Sequence, residues 1–220
     1  MDDRINIIKN STPLIDLRAP IEFNKGAFPS SVNIPILNDN QRSEVGIEYK
    51  KQGNNAAEKL GFKLLKNEQN KRVYLWKKFI NKNPTAYLYC MRGGKRSQIA
   101  KSWLSDEGIN VPVIEGGYKA LRNTAIEILN SVKNDRKDWV ILAGRTGTGK
   151  TAILKDLNSA IDLENHAMHR GSAFGGLFKE QPTAINFENN LASEYIKHNS
   201  NILFLEDESQ RIGKLTIPNI

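Results

Sequence analysis

The sequence predicts an α/β protein with two domains in tandem. Short apolar runs alternate with stretches of helical spacing, which is typical of α/β architecture. Two of these runs, 86–89 and 139–143, each lead into a glycine-rich loop that is followed by a helical pattern. A polar run over 133–138 separates the two patterns and indicates a domain junction. A chain of 220 residues is long enough for two small domains.

The first domain is predicted over residues 1–122. Strands are expected over 12–17, 86–89 and 111–114, and a helix is expected over 97–107, where Gly108 ends it. The order strand, helix, strand after residue 86 is that of a βαβ unit, so its two strands should run parallel.

The second domain is predicted over residues 139–220, after a helical and polar linker over 123–138. It should contain strands at 139–143 and 202–205 and a helix that begins near Lys150. Because 82 residues are few for a complete parallel-sheet domain of this kind, we expect it to be truncated at its C-terminus.

Positive charge is concentrated in one stretch of the first domain. The chain has a formal net charge of +8, and the segment 48–82 contains ten basic residues against three glutamates. Two interpretations stay open: a solvated lysine-rich surface, or a footprint for the phosphate backbone of a nucleic acid.

The sequence predicts a cytoplasmic protein. Cys90 is the single cysteine, so no disulfide can form within the chain, which fits a reducing compartment. The N-terminus opens with two aspartates and lacks the basic and apolar regions of a signal peptide. No apolar run approaches the ~18 residues that a membrane span needs.

Cys90 is the predicted catalytic residue. It stands between an apolar strand and a helix start, a position in which backbone N–H groups and the helix N-terminus attract anions. The nearby cations should lower the pKa of the thiol and favour the reactive thiolate. The alternative is a small buried apolar residue. The predicted anion-binding loop comprises Met91, Arg92, Gly93, Gly94, Lys95, Arg96 and Ser97.

A phosphate-binding loop is predicted at 144–151, which matches the pattern G-x-x-x-x-G-K-[ST] between a strand and a helix. Its backbone would hold a diphosphate and Lys150 would reach the phosphate oxygens, while the Thr151 hydroxyl could bind Mg²⁺. The pattern does not decide whether the ligand is a nucleotide, with ATP or GTP hydrolysis, or another diphosphate. The predicted diphosphate-binding residues are Gly144, Arg145, Thr146, Gly147, Thr148, Gly149, Lys150 and Thr151.

Acidic residues follow the predicted strand 202–205. Glu206 and Asp207 are candidates to bind Mg²⁺ together with Thr151, as an acidic residue after a strand does in many phosphate-loop proteins. The alternative is an acidic turn after a strand. The pattern does not decide which of the two carboxylates faces the metal.

The first half resembles a rhodanese domain, a doubly wound parallel sheet. The segments that carry the resemblance are 16–18, 22–23, 26–29, 32–35 and 113–117. Rhodaneses usually show C-x4-R, whereas Cys90 and Arg96 form C-x5-R, a spacing shared with cysteine phosphatases. The larger loop suits a larger anion. Tyr89 stands where such phosphatases usually place a histidine, and both sulfurtransferase and phosphatase remain alternatives.

The combination of a rhodanese-like domain with a domain like those of P-loop NTPases resembles the tRNA 2-selenouridine synthases. Further matching segments are 42–46, 162–164, 169–175, 181–183 and 205–209. The resemblance implies action on wobble-position 2-thiouridine of tRNA. The resemblance further implies that the sulfur of this base is first geranylated from geranyl diphosphate and then replaced by selenium from selenophosphate.

The resemblance also implies roles and partners. Cys90 and its loop would serve selenophosphate, and the phosphate loop would hold the diphosphate of the prenyl donor. His169 and Arg170 are candidates to contact tRNA or the departing diphosphate, with a structural loop as the alternative. The expected partners are tRNA and an enzyme that supplies selenophosphate, and no tightly bound cofactor is expected.

Overall fold

The computed structural model describes residues 3–144, 148–170 and 180–218. The helices of these residues are α1 (Asp3–Lys9), α2 (Pro20–Lys25), α3 (Asp39–Gln52), α4 (Asn54–Leu65), α5 (Gln69–Lys82), α6 (Lys95–Asp106), α7 (Gly117–Ser131), α8 (Lys150–Asp156), α9 (Leu163–Ala167) and α10 (Ala184–Tyr195). The strands are β1 (Leu14–Asp16), β2 (Ser31–Asn33), β3 (Tyr87–Tyr89), β4 (Asp138–Leu142), β5 (Ala160–Ile161), β6 (Ile202–Glu206), β7 (Arg211–Ile212) and β8 (Leu215–Thr216).

The chain divides into two compact units. One unit comprises residues 12–121, and the other comprises residues 1–11 with 122–220. Helix α1 joins the second unit through contacts with α10 and through Lys9, which donates a hydrogen bond to Asn199 at 2.8 Å. The segment 123–138, predicted as a linker, forms the second part of α7, a 3-10 turn and the first residue of β4.

The sheet of the unit 12–121 is parallel, with strand order β2-β1-β3. Leu14 lies opposite both Ser31 and Tyr87, so all three strands begin in register. The strand predicted over 111–114 is wrong in its length, because only Val113 forms a bridge, parallel to Leu88. Pro112 has no N–H to donate, so the ladder cannot extend there. The parallel direction expected for the βαβ unit is confirmed.

Helices α3, α4 and α5 carry the basic stretch, for which the sequence analysis predicted charge but no helices. Asn38 caps α3: its side chain accepts a hydrogen bond from the Gln41 N–H, and the Gln41 side chain accepts one from Asn38. Trp76 of α5 is buried, donates to the Ile34 carbonyl at 2.9 Å and stacks on Trp103. Eight of the ten basic residues are exposed, so the helices present a cationic surface.

A buried ion pair closes the carboxyl end of β1. Asp16 and Arg18 are almost fully buried, and the guanidinium Nη2 of Arg18 lies 2.6 Å from the Asp16 Oδ2. Arg18 also donates to the Gly26 carbonyl at 2.7 Å and lies 3.7 Å from the centre of the Tyr118 ring. Asn33 donates to the carbonyls of Asp16 and Arg18. The pair therefore connects β1, β2, α2 and the start of α7.

The sheet of the second unit is also parallel, with strand order β4-β6-β5. The predicted strands 139–143 and 202–205 are confirmed as β4 and β6, and the helix predicted near Lys150 is confirmed as α8. The antiparallel pair β7–β8 and strand β5 were not predicted, because two residues each are too few to show a period. The α/β class with parallel sheets is confirmed in both units.

No helix in the described ranges is both long and apolar enough to cross a membrane.

We expect Arg18→Met to lower the free energy of unfolding by about 3–5 kcal/mol, because the Asp16 carboxylate would stay buried without its partner. Urea unfolding followed by circular dichroism measures this loss. The double variant Asp16→Leu/Arg18→Met should recover at least half of it. As a control, Lys77→Met breaks the exposed pair with Glu107 and should cost no more than about 1 kcal/mol. Equal losses for Arg18→Met and Lys77→Met would contradict the prediction.

Candidate functional site

Cys90 lies directly after β3 and is buried. It belongs to the apolar cluster that contains Leu17, Leu88 and Ala100. Its Sγ lies 4.0 Å from the Gly94 carbonyl oxygen, at the outer limit of a hydrogen bond from sulfur. The residue is therefore part of the core and also the first residue of the loop. The structure leaves its catalytic role a prediction.

Gly93 and Gly117 allow the cysteine loop to pack closely against the segment that follows Ile114. Tyr118 donates its N–H to the Cys90 carbonyl at 2.8 Å, and Lys119 donates to the Met91 carbonyl at 3.0 Å. A Cβ on Gly117 would lie 2.3 Å from the Cys90 carbonyl oxygen, and the residue has a φ of +58°. Gly93 has a φ of +67°, and a Cβ there would lie 2.9 Å from the Ile114 carbonyl oxygen. Only glycine fits both positions without displacing the loop.

Two of the three cations of the loop form ion pairs. The Arg96 Nη1 lies 2.6 Å from the Glu22 carboxylate, and the Lys95 Nζ lies 3.0 Å from that of Glu58. Arg92 is exposed. Burial raises the pKa of Glu22, but the hydrogen bond and charge of Arg96 outweigh it and lower that pKa below its ordinary value. Glu22 is therefore ionised and holds the Arg96 guanidinium in place.

Ser97 lies buried in the first turn of α6. Its side chain is fully buried, and within the part of the chain that the structure describes its Oγ has no hydrogen-bond partner. A buried hydroxyl without a partner costs free energy, which a bound anion or water would recover. The anion-binding role of residues 91–97 stays a prediction that this side chain favours.

The phosphate-loop segment leads into α8. Gly149 adopts the left-handed conformation that the turn requires, with a φ of +89°, and Lys150 is the first residue of the helix. The Lys150 Nζ donates to the Gly144 carbonyl at 2.6 Å, so its side chain points back toward Gly144. Thr148 and Thr151 flank this turn. The predicted residues Arg145, Thr146 and Gly147 lie outside the described residues.

Glu206 is buried at the carboxyl end of β6, beside a cleft of about 320 Å³ in the same unit. It accepts a hydrogen bond from the Glu164 N–H at 2.6 Å. Burial raises the Glu206 pKa to about 7, with repulsion from Asp162, Glu164 and Glu208 in the same direction and the backbone hydrogen bond opposing. Asp207 is exposed.

Glu208, which was not among the predicted site residues, interacts with the phosphate-loop lysine. Burial and the neighbouring Glu164 raise the pKa of Glu208, and the positive charge of Lys150 opposes this shift. The acidic run alone does not distinguish Glu208 from its neighbours, because its nearness to Lys150 and Glu164 arises only when α8 and the start of α9 lie at the end of β6.

Thr151, Glu206 and Asp207 as magnesium ligands stay a prediction. Among residues 3–144, 148–170 and 180–218, no three His, Cys, Asp or Glu side chains form a group that could hold a metal ion. Mg²⁺ that binds together with substrate phosphates takes only one or two protein carboxylates, since phosphates and water supply its other ligands. The hydroxyl and carboxylates present are of the right chemical type for that arrangement.

His169 lies close to the acidic residues in the fold. Its N–H donates to the Glu164 carbonyl at 3.0 Å, so Glu164 binds His169 through its carbonyl and Glu206 through its N–H. The His169 Nδ1 is buried without a hydrogen-bond partner among the residues described. Arg170 is exposed next to the segment 171–179, which lies outside the described residues. Contacts of these two residues with tRNA or diphosphate stay a prediction.

Comparison with protein families identifies both parts of the chain. The family described as the rhodanese-like domain matches residues 2–124, which is more than half of the chain.

The chain belongs to the rhodanese-like family.

A second family, described as the tRNA 2-selenouridine synthase AAA domain, matches residues 137–220 of this rhodanese-like protein. The two matches agree with the order of domains inferred from Cys90 and from the phosphate loop.

Relatives extend the similarity over both domains. The chain is 49% identical to a tRNA 2-selenouridine synthase of Shewanella halifaxensis over 96% of its own length and 59% of the relative. It is 47% identical to the tRNA 2-selenouridine synthase of Sulfurovum sp., over 98% of this chain and 60% of the relative. It is 44% identical to that of Marinobacter nauticus, over 99% of this chain and 60% of the relative. The resemblance to tRNA 2-selenouridine synthases is thereby confirmed. The chain spans about 60% of the length of these relatives.

A solved structure supports the fold of about half of the chain. The N-terminal domain of a candidate ATP/GTP binding protein from Clostridium difficile 630 superposes with a TM-score of 0.50 at 31% identity. The match covers 53% of this chain and 90% of that domain.

We expect Gly117→Ala to lower the free energy of unfolding by at least about 2 kcal/mol, because the new Cβ would clash with the Cys90 carbonyl and strain a positive φ. Thermal unfolding measures the change. The matched control is Gly94→Ala in the same loop, where an added Cβ meets nothing within 4 Å and should cost little. Equal stability of Gly117→Ala and Gly94→Ala would show that the loop is not locked in this way.

We expect Glu206→Gln to flatten part of the pH dependence of stability. Because the folded-state pKa of Glu206 is raised to about 7, its contribution is present below pH 4.5 and is lost as the pH rises toward 7. The native chain should lose about 1–2 kcal/mol relative to the variant, less than the full shift because water in the open cleft screens the charge.

Urea unfolding of both proteins between pH 4.5 and 8 tests this expectation. Glutamine keeps the acceptor for the Glu164 N–H, so the variant should fold normally. Parallel stability curves for the two proteins would contradict a raised pKa at Glu206.

Proposed function

We propose that the chain acts in replacing sulfur by selenium at wobble-position 2-thiouridine of tRNA, as the names of its relatives suggest. The observation that carries the proposal is the cysteine loop: Cys90 leads into a glycine-locked turn and the unpaired buried hydroxyl of Ser97, in a chain that also has a phosphate-loop segment. One loop suits a selenium-bearing anion, and the other suits a diphosphate.

The first step is an alkylation. The sulfur of 2-thiouridine attacks C1 of geranyl diphosphate, the C–O bond to the diphosphate breaks, and the diphosphate leaves with the electron pair. The base releases its N3 proton to solvent, which leaves neutral S-geranyl-2-thiouridine. Lys150 and the backbone of residues 144–151 bind that diphosphate. Magnesium held by Thr151 and an acidic residue at the end of β6 would supply further charge neutralisation. The step needs no hydrolysis of a nucleotide.

The second step exchanges the chalcogen. Selenium of selenophosphate adds to C2 of the base, the C–S bond breaks, and geranylthiolate leaves with the electron pair and takes up a proton. Water then cleaves the Se–P bond and yields 2-selenouridine and phosphate, so no external oxidant or reductant is consumed. Cys90 acts in this step, and residues 91–97 hold the selenophosphate anion.

The exposed basic residues of α3, α4 and α5 offer a surface that can bind tRNA. Lysines of α3, α4 and α5 can contact successive phosphates and orient the tRNA without reading its sequence. Because the substrate is a tRNA, we expect the reaction to take place in the cytoplasm. An enzyme that makes selenophosphate must supply the selenium donor there.

Nucleoside mass spectrometry of tRNA tests the proposal. The chain is incubated with 2-thiouridine tRNA, geranyl diphosphate, Mg²⁺ and selenophosphate, and 2-selenouridine should form. We expect Cys90→Ser to stop at geranylated thiouridine, with selenouridine at least about 100-fold lower, because a serine hydroxyl stays protonated and cannot replace the thiol in the second step. Lys150→Ala should block geranylation itself.

The matched control is Lys155→Ala, an exposed lysine of the same helix α8, which should keep full activity. Unchanged tRNA with the folded native chain would reject the proposal. Release of phosphate from p-nitrophenyl phosphate, or a stable persulfide on Cys90 with thiosulfate, would then favour the phosphatase or the sulfurtransferase.

A further inference from the structure

An apolar cleft opens beside the cysteine loop within the unit 12–121. It has a volume of about 540 Å³ and is lined mainly by α3 and α4, with the start of α6 completing it. Small-molecule pockets commonly measure roughly 300–1,000 Å³, so the cleft has the size of a ligand site. The proposed roles of Cys90 and of residues 91–97 make no use of it.

The interior of the cleft is continuous with the core around Cys90. Leu37, Leu65 and Ile99 line the cleft and belong to, or pack against, the apolar cluster that contains Cys90. At the mouth, Ile47 and Phe62 are 50% and 45% exposed, which is high for large apolar side chains. Exposed apolar residues gathered at one cavity indicate a surface that an apolar ligand covers.

The rim of the cleft is cationic and is shared with the cysteine loop. Four basic side chains line it against two carboxylates, and Lys95 and Arg96 are also the first residues of α6. Glu22 pairs with Arg96 and also lies 3.6 Å from the Arg42 Nε, and Glu58 pairs with Lys95, so two carboxylates are shared among four cations and the rim stays cationic. An apolar interior with a cationic rim fits a ligand that has an apolar chain and an anionic head.

We propose that this cleft binds the prenyl chain of the substrate while selenium is delivered beside it. The inference rests on the proposed function, in which the sulfur that leaves carries a ten-carbon chain. A site that delivers selenium must accommodate that chain next to the selenium donor, and the cleft and the cysteine loop share the start of α6. The prenyl chain can enter the cleft attached to geranyl diphosphate or to the sulfur of the tRNA base.

Gly61 allows the cleft to be filled without breaking the fold. It lines the cleft within α4, and a Cβ there would meet only the Val45 Cγ2, at 3.9 Å. Gly61→Leu therefore projects into the space beside Val45, and glycine is the poorer helix former of the two. Gly61→Ala is the matched control, because it adds one methyl group at an ordinary contact distance.

The test measures binding of two labelled anticodon stem-loops by fluorescence anisotropy, one with 2-thiouridine and one with S-geranyl-2-thiouridine. The native chain should bind the geranylated stem-loop at least about tenfold more tightly, since burial of only two methylene groups is worth that factor. Gly61→Leu should abolish the preference for the geranylated stem-loop and leave the Kd of the 2-thiouridine stem-loop unchanged. Gly61→Ala should keep the preference.

A second pair of variants guards against misfolding of the first. Phe62→Ser removes an apolar side chain from the mouth and should weaken the preference, whereas Tyr74→Ser changes a 63% exposed aromatic residue of α5 that does not line the cleft. Tyr74→Ser should behave like the native chain.

Calorimetry with geranyl diphosphate separates the two sources of the chain. If Gly61→Leu weakens binding of geranyl diphosphate, the cleft also holds the prenyl chain of the donor. If only Lys150→Ala weakens that binding, the cleft holds the prenyl chain once it is attached to tRNA. Equal affinity of the native chain for both stem-loops, with unchanged geranyl diphosphate binding in Gly61→Leu, would overturn the inference. Because binding needs no turnover, this failure is distinct from a failure to make 2-selenouridine.

Discussion

The buried Asp16–Arg18 pair is the constraint on which the unit 12–121 depends. Two charges this deep are tolerated only when each finds its partner and its remaining hydrogen bonds. Arg18 meets this requirement by also binding the Gly26 carbonyl and lying against the Tyr118 ring. Tyr118 in turn donates to the Cys90 carbonyl. Tyr118 thus links the buried guanidinium at the carboxyl end of β1 to the cysteine loop.

Steric fit determines the shape of the cysteine loop more than its cations do. Gly93 and Gly117 approach backbone atoms so closely that no side chain fits, whereas the charge of Arg96 is taken up by Glu22. In the other unit, burial and nearby carboxylates raise the pKa of Glu206 to about 7, and Glu208 interacts with Lys150. Close backbone contacts therefore characterise the first site, and a buried carboxylate among other acids characterises the second.

The strands and glycine turns were predictable because their signals are local. Apolar runs such as 86–89 and 202–205 became β3 and β6, and Lys150 begins its helix where the phosphate-loop pattern places it. Three things were not predictable. The charge-rich composition of 48–82 obscured helices α3 to α5. Pro112 limits the strand predicted over 111–114 to a single bridge at Val113. The first eleven residues group with the second unit. The missing N–H of Pro112 is a local effect, whereas the grouping of the first eleven residues depends on contacts distant in sequence, such as that of Lys9 with Asn199.

The sequence by itself determined the α/β class, the two domains, the family resemblance, and Cys90 and Lys150 as the residues to test, because strand–loop–helix signals lie within about ten residues of one another. The tertiary structure decided what surrounds those residues. The pairing of Arg96 with Glu22, the bond of Glu164 to Glu206, and the packing of α6 beside the cleft of α3 and α4 each join segments that are far apart in sequence. No local pattern encodes such contacts, since they exist only once the core has packed.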